Sequence, residues 1–405
     1  MGDAQAHDRT MIQRVWLWPS ATFWCAIIVF CTATNFAFPQ SAAPSPTILP
    51  VVNDAPFNSG PVSIDDAHCG WNYALGGGAF YAASVPGASA FPQGCTITIT
   101  NTDISSCKGK SIQVAGFSAL FVLWPGQVVQ LTNVANAWVE TINPGRWRPN
   151  CAAFPLVINT DFKNGSDHMG LADGLGTGAE AFKSVQYALQ YVLTDFDFAG
   201  MPQTQIKILM APGSTDATGI HYAPHGSNPA SQGGAVLTVD GNGGTIVGQN
   251  DFLFDAIVQI RNVTFSNASG TCLNVLQRAY VLLADLITFG TCTGSQINVG
   301  LYGQIEFFKD FTISGGGGFF ITNAGGLLYT GTGITAFVSN NITYTNGVVV
   351  GQFPGWTQLG QITWSLGGNT VTGKKYDIGS NHVMTGSANI PGTVAGTTAT
   401  GGQAL

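Results

Sequence analysis

Charge is scarce in this chain. Of 405 residues, Lys and Arg number 14 and Asp and Glu 21, which is 9% of the whole. An ordinary globular surface is about a quarter charged, so the wet face here must be built from Thr, Asn, Ser, Gln and Gly. The net charge is −7 and no basic cluster occurs, which excludes nucleic acid as a partner. No Cys-x-x-Cys pair occurs, and His68 beside Cys69 finds no second Cys or His at ligand spacing, which excludes a structural zinc site. Amphipathic helix is equally rare. Beyond the apolar N-terminal run, only 179–193 carries a helical stripe, formed by Phe182, Val185, Ala188, Leu189 and Val192.

Glycine is abundant, with 53 residues. The stretch from Ala256 to Leu327 reads as three consecutive 24-residue units, AIVQIRNVTFSNASGTCLNVLQRA, YVLLADLITFGTCTGSQINVGLYG and QIEFFKDFTISGGGGFFITNAGGL. Each carries an apolar-Thr-apolar triplet: Val263-Thr264-Phe265, Ile287-Thr288-Phe289 and Phe311-Thr312-Ile313. A fixed period of this length without a 3.6-residue stripe indicates a solenoid whose unit is one coil of a parallel β-helix. One coil cannot bury its inner side chains alone, whereas equivalent residues on stacked coils lie about 4.8 Å apart and form columns. Strict spacing predicts one inner column of Ile257, Val281, Ile305 and Tyr329, and another of Phe265, Phe289, Ile313 and Phe337. Arg261, Asp285 and Lys309 also share a phase, either as a surface ion-pair ladder or as a ligand-facing groove.

The rest of the chain divides by composition. In 1–43, Arg9 and Arg14 precede an apolar run from Val15 to Phe38, which predicts a secretory signal cut near Ser41 to Ala43, with an uncut membrane anchor as the competing reading. Residues 44–60 are a Pro/Ser/Asn-rich linker. In 61–152, short strands such as Thr96-Ile97-Thr98-Ile99-Thr100 predict a small antiparallel β domain, with Trp124, Trp138 and Trp147 in its core. Residues 153–203 hold a lead-in loop and the helix, which is placed to cover the open end of the solenoid. The loop from Asp161 to Asp173, with Asn164, Asp167 and His168, could hold calcium or simply form turns. Residues 204–372 are the solenoid, and 373–405 a Gly/Thr-rich tail.

Six cysteines lie beyond the signal, as expected of an exported protein. Domain membership favours pairing Cys95 with Cys107, Cys69 with Cys151, and Cys272 with Cys292.

Two segments resemble a known group. NTDFKNGSDHMGLADGLGTGAEAFKSVQYAL, with Phe182-Lys183-Ser184-Val185-Gln186, resembles the lead-in and capping helix of pectate-lyase-like β-helix proteins. TVTGKKYDIGSNHVMTGSANIPGTVAGTTATGGQAL resembles the C-terminal signature of β-helix proteins of phage tails and their relatives in alphaproteobacteria. The matching positions are Gly373-Lys374-Lys375-Tyr376, Asn381, Ile390-Pro391-Gly392 and Thr400-Gly401-Gly402. This resemblance implies a right-handed β-helix at an extracellular or virion surface that touches glycans, and a homotrimer, but it transfers no catalytic residue. The fold class expected is therefore all-β: a right-handed parallel β-helix with an N-terminal capping helix, preceded by the small antiparallel domain.

Chemistry on a polysaccharide needs a carboxylate pair, or a base with cations that neutralise a uronate. The carboxylates available are Asp240, Asp251, Asp255, Asp285, Glu306 and Asp310, with Asp285, Glu306, Asp251 and Asp255 the catalytic candidates. Asp251 and Asp255 share a side if FLF between them is a strand, and Glu306 points outward one residue from Ile305. No two acids are one whole coil apart. His221, Tyr222 and His225 sit in a long insertion without helical spacing. Arg261, Lys309, Trp356 and Tyr376 are the candidates for touching sugar. These residues favour a secreted, periplasmic or cell-surface module that binds polysaccharide, with a lyase, hydrolase or epimerase as the alternative.

Overall fold

The computed structural model describes residues 51–53, 62–64, 69–75, 82–102, 110–117, 121–142, 156–167, 176–196, 206–221 and 237–405. The signal or anchor segment, most of the linker, Cys107, Cys151, Trp147, His168, Asp173, Tyr222 and His225 lie outside the described residues.

The Thr-centred triplets occupy adjacent rungs. Thr264 pairs in parallel with Thr288, and Thr288 with Thr312. The column runs back through Thr245 to Thr215, so five threonines stand one above another. From Leu156 onward the strands form one parallel β-solenoid of about ten turns. Phe265 stacks on Phe289 inside, with ring centroids 6.2 Å apart, and Phe307 on Phe311 at 4.4 Å.

Coil length departs from 24 residues in several places, and three of these steps decide which side chains face inward. The inner column is Val258, Val281, Ile305 and Leu328, all fully buried. Ile257 and Tyr329 therefore sit on outward positions, because the steps from Val258 to Val281 and from Ile305 to Leu328 are 23 residues. The column of Phe265, Phe289 and Ile313 continues to Val338 after a 25-residue step. Phe337 then lies opposite Thr312 on the outer face, 44% exposed. A shift of one residue in a strand reverses every side chain.

Corners are made by residues that tolerate the left-handed region. Phe254-Asp255, Gln277-Arg278 and Leu301-Tyr302 hold positive φ at the same corner of successive coils. The Gly-rich run 315–318 passes another corner beside the Cys272–Cys292 disulfide. A Cβ on Gly317 would lie 1.7 Å from the Cys292 carbonyl oxygen, so only glycine fits.

The helix spans Val185–Asp195, starting later than the expected 179 because Ser184 is its N-cap and accepts from the Tyr187 N–H at 3.1 Å. The buried Asp216 carboxylate accepts from the Val185 N–H at 2.7 Å, placing an anion at the helix N-terminus. Phe182, Val185, Ala188, Leu189 and Val192 are buried against the first coils, and Trp124 of the small domain meets Phe196 edge-on at 5.0 Å.

In the small domain, Thr96–Asn101, Val128–Val134 and Ala137–Ile142 pair antiparallel. Val51–Asn53, Asn72–Leu75 and Thr96–Asn101 pair in parallel, so the domain is mixed. That parallel pairing corrects the disulfide expectation. It brings Cys69 to Cys95, with Cα atoms 5.4 Å apart, in place of Cys95 with Cys107 or Cys69 with Cys151. Trp138 is buried and donates its indole N–H to the Pro86 carbonyl at 2.8 Å.

The Gly/Thr-rich tail supplies the final rungs, since Asp377 pairs with Thr397 and Val383 with Gln403. His382 is buried there. The Thr357 hydroxyl lies 2.9 Å from its Nε2 and the Phe353 carbonyl 3.3 Å from its Nδ1, which suits the neutral ring with a proton on Nδ1. Burial pushes its pKa below the ordinary histidine value, opposed by the bond to Phe353.

Two outcomes follow. Phe289→Ala empties an inner column and lowers stability by about 3–5 kcal/mol in denaturant unfolding, whereas Thr288→Ala on the outer face changes it by less than about 1 kcal/mol. The folded state disfavours the protonated His382, so its contribution is complete above the unfolded value of about 6.5 and is lost as pH falls below that. The melting temperature should drop on acidification from pH 7 through 6, and His382→Gln should flatten that part of the profile.

Candidate functional site

A groove of about 750 Å³ runs along one corner of the solenoid. Thr264, Thr288 and Thr312 line it, with Asn262, Asp285, Phe308, Lys309, Asp310 and Phe337. The strands Ile257–Asn267, Ile287–Gly300 and Phe311–Ile313 hold the threonines at one rung each. Thr is β-branched and stiff at χ1, so its hydroxyls form a regular row of donors and acceptors.

Charge in the groove follows from a pairing one coil away. Arg261 lies in register with both Asp240 and Asp285. It turns to Asp240, with Nε 3.6 Å from Oδ2, where Lys207 Nζ also binds at 2.8 Å. Asp240 is 5% exposed and needs the cations. Among the described residues, Asp285 forms no ion pair or hydrogen bond, and Lys309 only overlies the Phe308 ring, 5.5 Å from its centroid. One oxygen of Asp310 accepts from the Thr335 N–H at 2.7 Å. An open carboxylate, an open ammonium and two part-exposed aromatic rings thus border a row of hydroxyls.

The other sequence candidates scatter. Glu306 accepts from the Tyr280 hydroxyl, and Tyr329 follows Glu306 in register. Burial, then the bond to Glu306 and the charges nearby, hold the Tyr280 pKa above the ordinary tyrosine range, so Tyr280 remains a donor. Asp251 lies on another face, where it accepts from Asn274 Nδ2 at 2.7 Å and Gln249 Nε2 at 2.9 Å, with His221 Nδ1 at 3.4 Å. Asp255 occupies the left-handed corner and pairs with Arg278 at 2.8 Å. Trp356 is 45% exposed in register with Leu327. Tyr376 lines a separate depression of about 370 Å³ near the C-terminus with Lys375. In the lead-in loop, Asp161 accepts from the Lys163 and Asn164 N–H groups, and Asp167 from those of Lys183 and Ser184.

The structure therefore gathers Asp285 and Lys309 at one groove and sets Arg261 beside it. Phe308, Asp310 and Phe337 escape a strict 24-residue reading. The signal for Phe308 is the doublet Phe307-Phe308, where only one ring can face inward.

Compared with protein-family models, with curated proteins and with solved structures, the chain matches none. What the structure defines is a parallel β-solenoid with a polar groove along its outer surface.

A stability test separates the groove from the ion pairs that support it. Asp285→Asn and Lys309→Ala should each leave unfolding within about 0.5 kcal/mol of the parent, whereas Asp240→Ala strands Lys207 and Arg261 and should lower stability by about 1–3 kcal/mol.

Proposed function

We propose that this chain is a surface polysaccharide-binding module, with the groove along Thr264, Thr288 and Thr312 as its site. The observation that carries the reading is the pair Asp285 and Lys309, both left open beside the exposed rings Phe308 and Phe337 in a groove of about 750 Å³. Polar groups held without protein partners on a rigid framework are ready to meet a ligand's hydroxyls, and aromatic faces cover the apolar face of a sugar. Two disulfides among the described residues support an oxidising, exported setting. The resemblance to β-helix proteins of phage tails and bacterial surfaces points the same way, and it also suggests a trimer. The exposed corner residues Phe254, Leu301, Tyr302 and Phe353 would suit such self-association.

Binding is favoured over cleavage because Glu306 is engaged by Tyr280, Asp255 by Arg278 and the second groove carboxylate, Asp310, by the Thr335 N–H, so that Asp285 is the one acid of these four with no described partner, where hydrolysis requires a working pair. The test is incubation of the purified chain with bacterial exopolysaccharides, following retention on the polymer, reducing ends and unsaturated-uronate absorbance. Retention without product is expected, weakened about tenfold by Phe337→Ala. Product release that disappears in Asp285→Asn would replace the binding reading with an enzymatic one.

A further inference from the structure

The groove has a period, and a period selects its ligand. We infer, resting on the glycan reading above, that it takes an uncharged, extended polysaccharide laid along the solenoid axis, one sugar per coil and about four to five sugars in all. The lining residues run from the rung of Gly243 and Thr245 through Thr264, Thr288 and Thr312 to Phe337, which are five consecutive rungs. Four steps of about 4.8 Å give a length of roughly 19 Å. A pyranose ring with its linking oxygen is comparable in length to one rung, so an extended chain can advance one sugar per coil. Each coil can therefore offer one threonine hydroxyl to one sugar, and the small difference between sugar length and rung spacing stays well below one sugar over these four steps.

Charge decides the class of sugar. Asp285 and Asp310 face the groove with one opposing cation, Lys309, while Arg261 is held by Asp240. A polyuronate or sulfated chain would bring an anion to nearly every rung against two fixed carboxylates, on a protein whose net charge is −7. A neutral chain meets no such penalty. The Thr and Asn262 side chains can donate to and accept from its hydroxyls, and Phe308 and Phe337 can lie against its rings.

The experiment has two stages. First, the purified chain is presented with immobilised neutral, uronic, sulfated and amino polysaccharides at 50 and 500 mM NaCl. Neutral polymers should be retained with less than about a twofold change across that salt range. Preference for uronic, sulfated or amino polymers, or a loss on adding salt, overturns the inference while leaving glycan binding intact. Retention of none of them rejects the glycan reading itself. Second, oligosaccharides of two to eight sugars cut from the best-retained polymer are titrated by calorimetry. Affinity should rise to four or five sugars and then level. A continued rise to eight, or a plateau at two, removes the one-sugar-per-rung arrangement. The double variant Asp285→Asn, Asp310→Asn should raise the ratio of uronic to neutral polymer retained at least fivefold, whatever it costs in neutral binding. Unchanged rejection of that polymer would show that these carboxylates do not set the selectivity.

Discussion

Everything in this structure depends on one coil settling on the next in a fixed register. Parallel backbone pairing sets the rung spacing, and the inner columns, with Phe265 on Phe289 and Val281 on Ile305, reward equal coil lengths with continuous apolar contact. Variation in residue number must then appear at corners or reverse a side chain. Tyr329 and Phe337 occupy outward positions for this reason, one after a 23-residue step and the other after a 25-residue step. The exposed ring of Phe337 in the groove is thus a consequence of an uneven coil, and the core keeps its column by placing Val338 inside.

Two polar columns show what a solenoid can do with an outward position. On one face, Asn274 Nδ2 donates to Asp251 at 2.7 Å, Asn298 Nδ2 to Asn274 Oδ1 at 3.0 Å, and the Thr322 hydroxyl to Asn298 Oδ1 at 2.8 Å. Each acceptor is used by the next rung, so the column serves cohesion between coils. On the groove face, Thr264, Thr288 and Thr312 repeat at the same interval and border open space. The same geometry yields a closed hydrogen-bond ladder in one place and a row of accessible groups in the other. What separates the two is the Asn amide: it spans the gap to its neighbours, Thr322 included, whereas in the column of threonines no described hydroxyl bonds to the next rung.

Much of the architecture was legible because the repeat is punctuated. The three triplets, the register of Arg261 with Asp285, the Cys272–Cys292 pairing and the helix that follows the lead-in loop all follow from phase and composition. What could not be read was coil length outside the three units. Asp240 precedes a register shift between itself and Gly244, so its place one rung below Arg261 has no counterpart in a 24-residue count. The Cys69–Cys95 pairing was hidden likewise, since parallel strands joined by long connections leave no alternation that marks their partners. The site was half legible: Asp285 and Lys309 announced themselves by charge in a chain with little of it, while Phe308 and Phe337 looked like core.

Scarcity of charge also explains why the groove is open. Of the basic residues described from 206 onward, Lys207 and Arg261 turn to Asp240, Arg278 to Asp255, and Lys374 to Asp377 at 3.4 Å. Asp240 is nearly buried, and an ionised carboxylate withdrawn from water demands partners more strongly than one that stays hydrated. Arg261 has a choice of two acids in register and takes the drier one. Asp285, on the wetter rung, is released by that choice, and Lys309 has only a ring to lie on. The polarity of the groove is therefore set one coil away, by the desolvation of a residue that does not line it.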